Sequence, residues 1–213
     1  MNQSATWTRI IEAAIEVFLE KGYDLATIRD ICSRAEANVA AVNYHFGSKD
    51  ALRAAALERI IFSCYESYPM SEGLAEAASP EERLHRFIRN LLRLNFPEDR
   101  EHARRSKLFW LELANPSPAL QPMVERFMRP IKDTLEAIIL EIAGQLAPET
   151  LRLCVESIAA QDVFHAQNRA ILTQLYPDNT YDHRDVERLA DHIYRFSLAG
   201  LQAVQEDARR RAS

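Results

Sequence analysis

Residues 27–53, TIRDICSRAEANVAAVNYHFGSKDALR, decide how this chain folds. Thr27 stands before an apolar-periodic segment that has Asp30 at its third position, which is the pattern of a capping box at a helix N-terminus. Asn38 and Ser48 occupy the same capping position before the next two segments. The stretch therefore predicts three helices, over about 28–35, 39–45 and 49–66.

A longer helix is predicted over about 5–21, and Gly22 follows at the position of a C-terminal cap. Its apolar side chains share one face: Ile10, Ala13, Ala14, Val17 and Phe18. Its acids share another: Glu12, Glu16 and Glu20. A supporting helix followed by two short helices and a tight turn is a helix-turn-helix unit, whose second short helix enters the DNA major groove.

The second short helix has residues suited to reading DNA. Val42 packs inward with the residue four positions later, so the residues between them face outward. Asn43 is suited to adenine in the major groove. Tyr44, His45 and Lys49 are suited to phosphate oxygens, Lys49 from a helix N-terminus that attracts anions. The alternatives are an ordinary surface helix and, for His45, a packing or capping role.

Two segments, TRIIEAAIEVFLEKGYDLATIRDICSRA and VNYHFGSKDAL, resemble the N-terminal domain of TetR/AcrR-type transcriptional regulators over residues 8–53. NVAAVNYHFGSKDAL is similar to the CecR-type subgroup, and LFWLELANPSPAL and SIAAQDVFHAQ resemble the C-terminal domain of that subgroup. The resemblance implies a cytoplasmic homodimer. Residues 1–53 would bind a palindromic DNA operator, and residues 54–213 would dimerise and hold a small-molecule inducer.

Residue by residue, the resemblance implies three kinds of DNA contact. Phosphates are assigned to Lys49, Tyr44 and His45, the major groove to Val39, Ala40, Ala41 and Asn43, and further backbone contacts to Thr27 and Arg29. The sequence departs from the family at the turn, where Glu36 replaces the usual Gly. A left-handed Glu36 would cost about 1 kcal/mol relative to Gly.

The charge balance is unusual for a DNA-binding protein. The chain has 26 Lys and Arg against 31 Asp and Glu, a net charge of −5, which argues against coating nucleic acid by bulk charge. Residues 1–53 contain six basic and seven acidic residues, a net of −1. We interpret Arg9 and Arg53 as solvated surface charges. The basic cluster His102, Arg104, Arg105 and Lys107 is interpreted as a solvated helix face rather than a second nucleic-acid site.

The rest of the chain also shows helical periodicity, and we predict an all-α protein of about nine helices. The later helices are expected over about 80–96, 99–114, 119–143 with a kink at Pro130, 148–175 and 182–209. All nine prolines lie at or after Pro69, which indicates a change of composition there. Three scattered cysteines and the lack of a signal peptide or membrane span suit a reducing cytoplasm.

The last helix contains an apolar seam, predicted to be the dimer interface: Val186, Leu189, Ile193, Phe196, Gly200 and Ala203. An intramolecular core is the alternative.

The predicted ligand-binding set combines apolar and polar residues: Phe87, Leu91, Phe96, Trp110, Leu113, Phe127, Met128, Gln161 and His165. The apolar members would equally make plain core, and the two polar ones would equally pair across a dimer interface.

No sequence pattern supports catalysis, a cofactor or a metal. The chain has no Gly-rich phosphate loop, HExxH, Cys/His cluster or GxSxG elbow. We therefore predict a ligand-responsive repressor that is not an enzyme. The alternatives are a DNA-binding regulator controlled by a protein partner, and a helical binding module or enzyme that retains the N-terminal fold.

Overall fold

The computed structural model describes residues 5–212, and this part of the chain is helical without any strand. The all-α prediction is confirmed. The α-helices are α1 (Ala5–Leu25), α2 (Ile28–Ala35), α3 (Val39–Phe46), α4 (Lys49–Ser67), α5 (Pro80–Asn95), α6 (Arg100–Ala114), α7 (Leu120–Met123), α8 (Arg129–Ala143), α9 (Pro148–Gln167), α10 (Arg169–Leu175) and α11 (Val186–Ala212).

Local capping fixes where the N-terminal helices begin. Thr27 Oγ1 accepts from Asp30 N at 3.1 Å, while Asp30 Oδ2 accepts from Thr27 N at 3.0 Å, so the predicted capping box is present. Asn38 Oδ1 accepts from the backbone N–H three residues later at 2.8 Å, and Ser48 Oγ does the same at 3.0 Å. The first two caps begin helices of 8 residues, which would be marginal alone, and Ser48 begins the longer α4.

Residues 5–212 contain eleven α-helical segments instead of nine, because one predicted long helix has a π-helical segment inside it and another is broken. The π-helical segment Val124–Met128 joins α7 to α8 and ends two residues before Pro130, whose missing N–H cannot continue regular α-helical bonding. The irregularity lies next to the residue at which a kink is predicted. Asn168 separates α9 from α10. Its backbone N–H and its Nδ2 both donate to Phe164 O at 3.0 Å, and the chain leaves helical geometry there.

The chain forms two compact units, Met1–Cys64 with Arg100–Phe127 and Tyr65–Asp99 with Met128–Ser213. In the first unit, the predicted apolar face of α1 packs with Ile31, Val42 and Leu52 from the next three helices. In the second unit, α5, α8, α9 and α11 surround a core that includes Phe87, Ile139 and other apolar side chains. A functional boundary between residues 53 and 54 stays a prediction, because compactness does not define where DNA binding ends.

Within the described range, every helix is too short or too polar to span a bilayer. The same residues contain no group of three His, Cys, Asp or Glu side chains placed to hold a metal ion. Cys32, Cys64 and Cys154 are free thiols.

Candidate nucleic-acid interface

The turn between α2 and α3 is left-handed at Glu36, with φ 49° and ψ 45°. Ala37 N donates to Cys32 O at 3.0 Å and thereby closes the end of α2. The turn thus has the backbone geometry for which glycine is usual, with a charged residue in its place.

Helix α3 has one buried and one exposed face. Val42 is 1% exposed, and the Phe46 ring packs 6.0 Å from the Trp7 ring of α1. The predicted groove-facing residues Val39, Ala40 and Asn43 are exposed, and Ala41 is half-buried against the core. Tyr44 is 85% exposed. Such exposure is unusual for a large aromatic side chain, because burying the ring would stabilise the fold.

The other predicted contact residues lie in α3 and at the start of α2. His45 is half-buried, with its ring edge-on to Tyr44 at 5.1 Å. Thr27 is exposed, but its hydroxyl also serves the capping box of α2. Arg29 is the exposed second residue of the same helix.

Lys49 lies at the N-terminus of α4, as predicted, and its ammonium is held by the end of α1. Its Nζ lies 4.4 Å from the centroid of the Tyr23 ring and makes a long hydrogen bond of 3.5 Å to Asp24 O. The Tyr23 hydroxyl donates to the Asp50 carboxylate. Burial and that hydrogen bond raise the pKa of Tyr23 to about 12, so the phenol stays protonated.

The interpretation of Arg53 as a solvated surface charge is wrong. Its guanidinium lies 4.1 Å from the centroid of the Tyr23 ring, and its Nη2 lies 2.5 Å from Glu112 Oε2. The Glu112 side chain is completely buried, while Arg53 is 17% exposed. Ser117 donates its backbone N–H and its hydroxyl to Glu112 Oε1, at 2.8 and 2.7 Å. Arg53 and Glu112 Oε2 form an ion pair, although Oε2 accepts no hydrogen bond.

The acids of the first unit are largely neutralised by basic side chains. The pairs are Glu12 with Arg105, Glu16 with Arg104, Glu20 with Arg34 and Asp30 with Lys21, all at 2.7 to 2.8 Å. Two of the four residues in the predicted solvated cluster, Arg104 and Arg105, thus bind the acidic face of α1. The pairs of Glu20 and Asp30 are already counted in the net charge of −1 for residues 1–53. Arg104 and Arg105 lie outside that range, so these two positive charges offset acids of α1 beyond that balance.

The predicted ligand-binding residues fall in both units. Phe87 and Phe96 are core side chains of the second unit, and Leu91 packs against that core. In the same unit, Gln161 Nε2 donates to Ser197 Oγ at 3.1 Å, and the His165 ring stacks on Tyr181. Met128 is 37% exposed. The three remaining residues, Trp110, Leu113 and Phe127, are half-buried in the first unit.

An open groove of about 380 Å³ lies in the second unit, between the α8–α9 loop and the end of α11. It is lined by Gln145, Leu146, Ala147, Thr150, Val204, Asp207 and Ala208, none of which is in the predicted ligand-binding set.

The predicted dimer seam of α11 divides into two faces. Val186, Leu189 and Ile193 belong to the core of their own unit, as the intramolecular alternative expects. Phe196 is 68% exposed, and Gly200 and Ala203 are also exposed. The outer part of the seam is therefore available to a partner, and the inner part is not.

Sequence reasoning missed a buried polar pair in the second unit. Asn95 donates to Asp162 Oδ2, while Asp162 Oδ1 has no hydrogen-bond donor. Burial raises the pKa of Asp162 to about 7, and the Asn95 hydrogen bond only partly opposes this shift. The available signal was an acid inside the largely apolar run SIAAQDVF, just as Glu112 interrupts the apolar run LFWLELA.

Both parts of the chain match known families of transcriptional regulators. Residues 10–56 match the family of bacterial regulatory proteins called the tetR family. Residues 80–201, more than half of the chain, match the family described as the C-terminal domain of the HTH-type transcriptional dual regulator CecR. The chain belongs to the TetR-type transcriptional regulators of the CecR group. It is a helix-turn-helix regulator, and its family consists of regulators, not enzymes.

Individual relatives match parts of this TetR-type regulator. The HTH-type transcriptional dual regulator CecR of Shigella flexneri is 30% identical over 151 residues, which cover 67% of this chain and 66% of CecR. The transcriptional regulator YttP of Bacillus subtilis is 36% identical over 75 residues, 35% of this chain and 33% of YttP. The chain thus spans about two thirds of one relative and one third of the other.

Solved structures share the fold over nearly the whole chain. The regulator FadR from Bacillus subtilis, in complex with stearoyl-CoA, has a TM-score of 0.66 at 18% identity and covers 91% of this chain and 98% of its own. A transcriptional regulator from Rhodococcus has a TM-score of 0.65 at 22% identity, with 92% and 97% coverage. At these identities the likeness shows the fold alone.

Proposed function

We propose that this CecR-group regulator is a homodimeric repressor that a small-molecule inducer releases from a two-fold symmetric DNA operator. The observation that carries the proposal is the exposed face of α3, with Val39, Asn43 and Tyr44, next to Lys49 at the start of α4. Asn43 supplies the base-reading amide, and the small residue Ala40 lets the helix approach the groove closely. Tyr44, His45 and Lys49 take phosphates, and Thr27 and Arg29 contact the backbone from α2.

The exposed outer face of α11 supports the homodimer. Phe196, Gly200 and Ala203 follow at four and three residues, the spacing of a helix-packing seam. Helix α9 carries a matching exposed row with Ala160 and Phe164, beside the hydrogen bond that joins Gln161 to Ser197. Two copies of α9 and α11 would bury these rows in a four-helix bundle and place two α3 helices on one DNA duplex.

A small molecule is the proposed inducer because a fold neighbour, FadR, is described in complex with stearoyl-CoA. The ligand would bind in the second unit, which contains Leu91, Gln161 and His165 of the predicted set, and would favour one arrangement of the dimer. Control by a protein partner in the cytoplasm is the second candidate. The core positions of Phe87 and Phe96 favour that candidate, because residues that fill a core do not line an open cavity.

Selection of DNA from a random-sequence library tests the proposed function. The wild-type protein should enrich a palindrome with half-sites about 10 base pairs apart or a multiple of that distance. Asn43→Ala should relax the preference at one position of each half-site and leave backbone affinity largely intact. Glu149→Gln, at the start of α9, serves as the control and should retain the wild-type sequence preference. A library that emerges unenriched from the wild-type protein would overturn the proposal.

A further inference from the structure

Two cations of α4, one helical turn apart, share one aromatic ring of α1. Lys49 Nζ lies 4.4 Å from the Tyr23 ring centroid, and the Arg53 guanidinium carbon lies 4.1 Å from it. Resting on the DNA-binding function proposed above, we infer that Tyr23 is a positioning residue, which holds the Lys49 ammonium where it meets a DNA phosphate.

The Tyr23 ring is itself fixed by its surroundings. Gly22 has φ 74° and ψ 163°, a conformation that L-residues rarely adopt, so the chain leaves regular helix immediately before Tyr23. The Tyr23 ring then packs 5.5 Å from the Phe18 ring, and its hydroxyl donates to Asp50. A ring that packs against Phe18 and is anchored at its hydroxyl is a fixed platform for a cation.

The Lys49 ammonium has more hydrogen-bond donors than its two contacts use. A lysine ammonium has three N–H donors. One side of the Lys49 ammonium faces the Tyr23 ring, and another reaches the Asp24 carbonyl at 3.5 Å. The remaining N–H is available to a phosphate oxygen. Ordering a mobile lysine on binding costs about threefold to tenfold in affinity, and a lysine that is ordered beforehand avoids much of that loss.

Arg53 completes the platform without competing for the phosphate. Its guanidinium is held by Glu112, whose other carboxylate oxygen accepts two hydrogen bonds from Ser117. Arg53 is therefore committed to the protein interior, and Lys49 is the cation at this ring that remains able to reach DNA. The separation of roles follows from burial, since Arg53 is 17% exposed and its partner is fully buried.

A double-mutant cycle tests the role of Tyr23. The probe is a DNA duplex of mixed sequence at low salt, because phosphate contacts do not depend on sequence. Binding is measured for the wild-type protein, Tyr23→Leu, Lys49→Ala and the double variant. Tyr23→Leu should weaken binding by roughly tenfold in a dimer with two such lysines, yet have almost no effect in the Lys49→Ala background. Tyr23→Phe keeps the ring and should retain most of the affinity.

Equal losses from Tyr23→Leu in both backgrounds would overturn the inference, because the ring would then act without Lys49. A gain in affinity would also overturn it, since the ring would be withholding the lysine from DNA. A wild-type protein that does not bind the duplex would instead remove the proposed function on which the inference rests.

One measurement needs no substitution and so survives a Tyr23→Leu protein that fails to fold. Protons next to the Lys49 ammonium should be shifted upfield in the NMR spectrum of the wild-type protein by the Tyr23 ring current. Random-coil shifts for those protons would overturn the positioning role directly. If the protons are shifted but the protein does not bind the duplex, the Tyr23–Lys49 contact exists and the proposed DNA-binding function is wrong.

Discussion

Glu112 of α6 and Arg53 of α4 form an ion pair at 2.5 Å in which the glutamate is completely buried. Removing one partner of a buried pair leaves the other charge without compensation, which typically costs about 3 kcal/mol or more. Glu112→Ala should therefore lower the free energy of unfolding by about 3 kcal/mol, measured by chemical denaturation. Ser117 would also lose the acceptor of its two hydrogen bonds.

A control variant shows how much stability is lost when an exposed ion pair is broken instead of the buried one. Arg152 and Glu156 form an exposed pair on α9, and Arg152→Ala should change stability by less than about 0.5 kcal/mol. Replacing both Arg53 and Glu112 by Met should recover much of the stability, because no buried charge is then left alone. A double variant as unstable as Glu112→Ala would contradict this explanation.

Substitution of the left-handed turn residue Glu36 is expected to raise the free energy of unfolding instead of lowering it. Glu36→Gly should stabilise the protein by about 0.5 to 1 kcal/mol, because Gly adopts φ 49° without steric cost, even though it loses more entropy on folding. Urea denaturation should show a higher midpoint with an unchanged slope. Glu36→Ala removes the same charge but keeps Cβ, and it should bring no such gain. Equal gains from Gly and Ala would identify charge, not backbone strain, as the cause.

Local sequence chemistry made the helix-turn-helix unit predictable. Thr27, Asn38 and Ser48 are caps whose partners lie three residues away, so short-range pattern was enough to place α2, α3 and the start of α4. The charge at Arg53 was misinterpreted because Glu112 is far away in sequence. Pairing between distant residues depends on tertiary packing, which spacing within one helix does not encode.

In the later helices, too, the local sequence pattern did not predict every structural feature. At Pro130 the residue type itself predicted an irregular turn, but at Asn168 apolar periodicity continues and predicted one helix where the structure has two. In α11 the periodicity was correct, yet one seam serves two faces, with Ile193 inside and Phe196 outside. Periodicity identifies a helix that packs, but not whether its partner belongs to the same chain.

The buried carboxyl of Asp162 predicts a pH-dependent stability. Its folded-state pKa of about 7 lies above the ordinary value of 3.8, so the folded protein holds this proton more tightly than the unfolded chain. The stabilisation is complete below pH 3.8 and is lost as the pH rises to about 7. The contribution to unfolding free energy should fall by up to about 1 kcal/mol per pH unit in that window.

Asp162→Asn tests this because the amide does not titrate and still offers an oxygen to Asn95. Stability measured between pH 5 and 8, where roughly the upper half of the window lies, should decline less steeply in this variant than in the wild-type protein. Asp178→Asn, which changes an exposed carboxyl in the loop after α10, should follow the wild-type curve. Parallel curves for all three proteins would show that Asp162 does not carry the pH dependence.

The two faces of the α11 seam predict different outcomes for similar substitutions. Phe196→Glu places a charge on the exposed face and should give folded monomers in sedimentation analysis, with helicity retained. Ile193→Glu places a charge in the core and should unfold the second unit. Leu175→Glu changes an equally exposed apolar residue outside the seam, and this variant should stay dimeric. A dimeric Phe196→Glu protein would locate the interface elsewhere.

Lys49 predicts a change in the salt dependence of DNA binding. Helix-dipole effects favour an anion at the start of α4, and Lys49, which the Tyr23 ring and Asp24 O hold there, adds a positive charge for a DNA phosphate. If each subunit of a dimer makes one such contact, Lys49→Ala removes two. The slope of log K against log salt should then fall by about 1.8, because each neutralised phosphate contributes about 0.9.

The salt slope separates a phosphate contact from a merely structural lysine, which would change affinity without changing the slope. Lys107→Ala, which removes an exposed cation from α6, should keep the wild-type slope. The reduction for Lys49→Ala should also be similar across operator variants, since phosphates carry no sequence information. An unchanged slope in Lys49→Ala would refute the contact even if the affinity fell, because counterion release, and not affinity alone, reports a phosphate that has been neutralised.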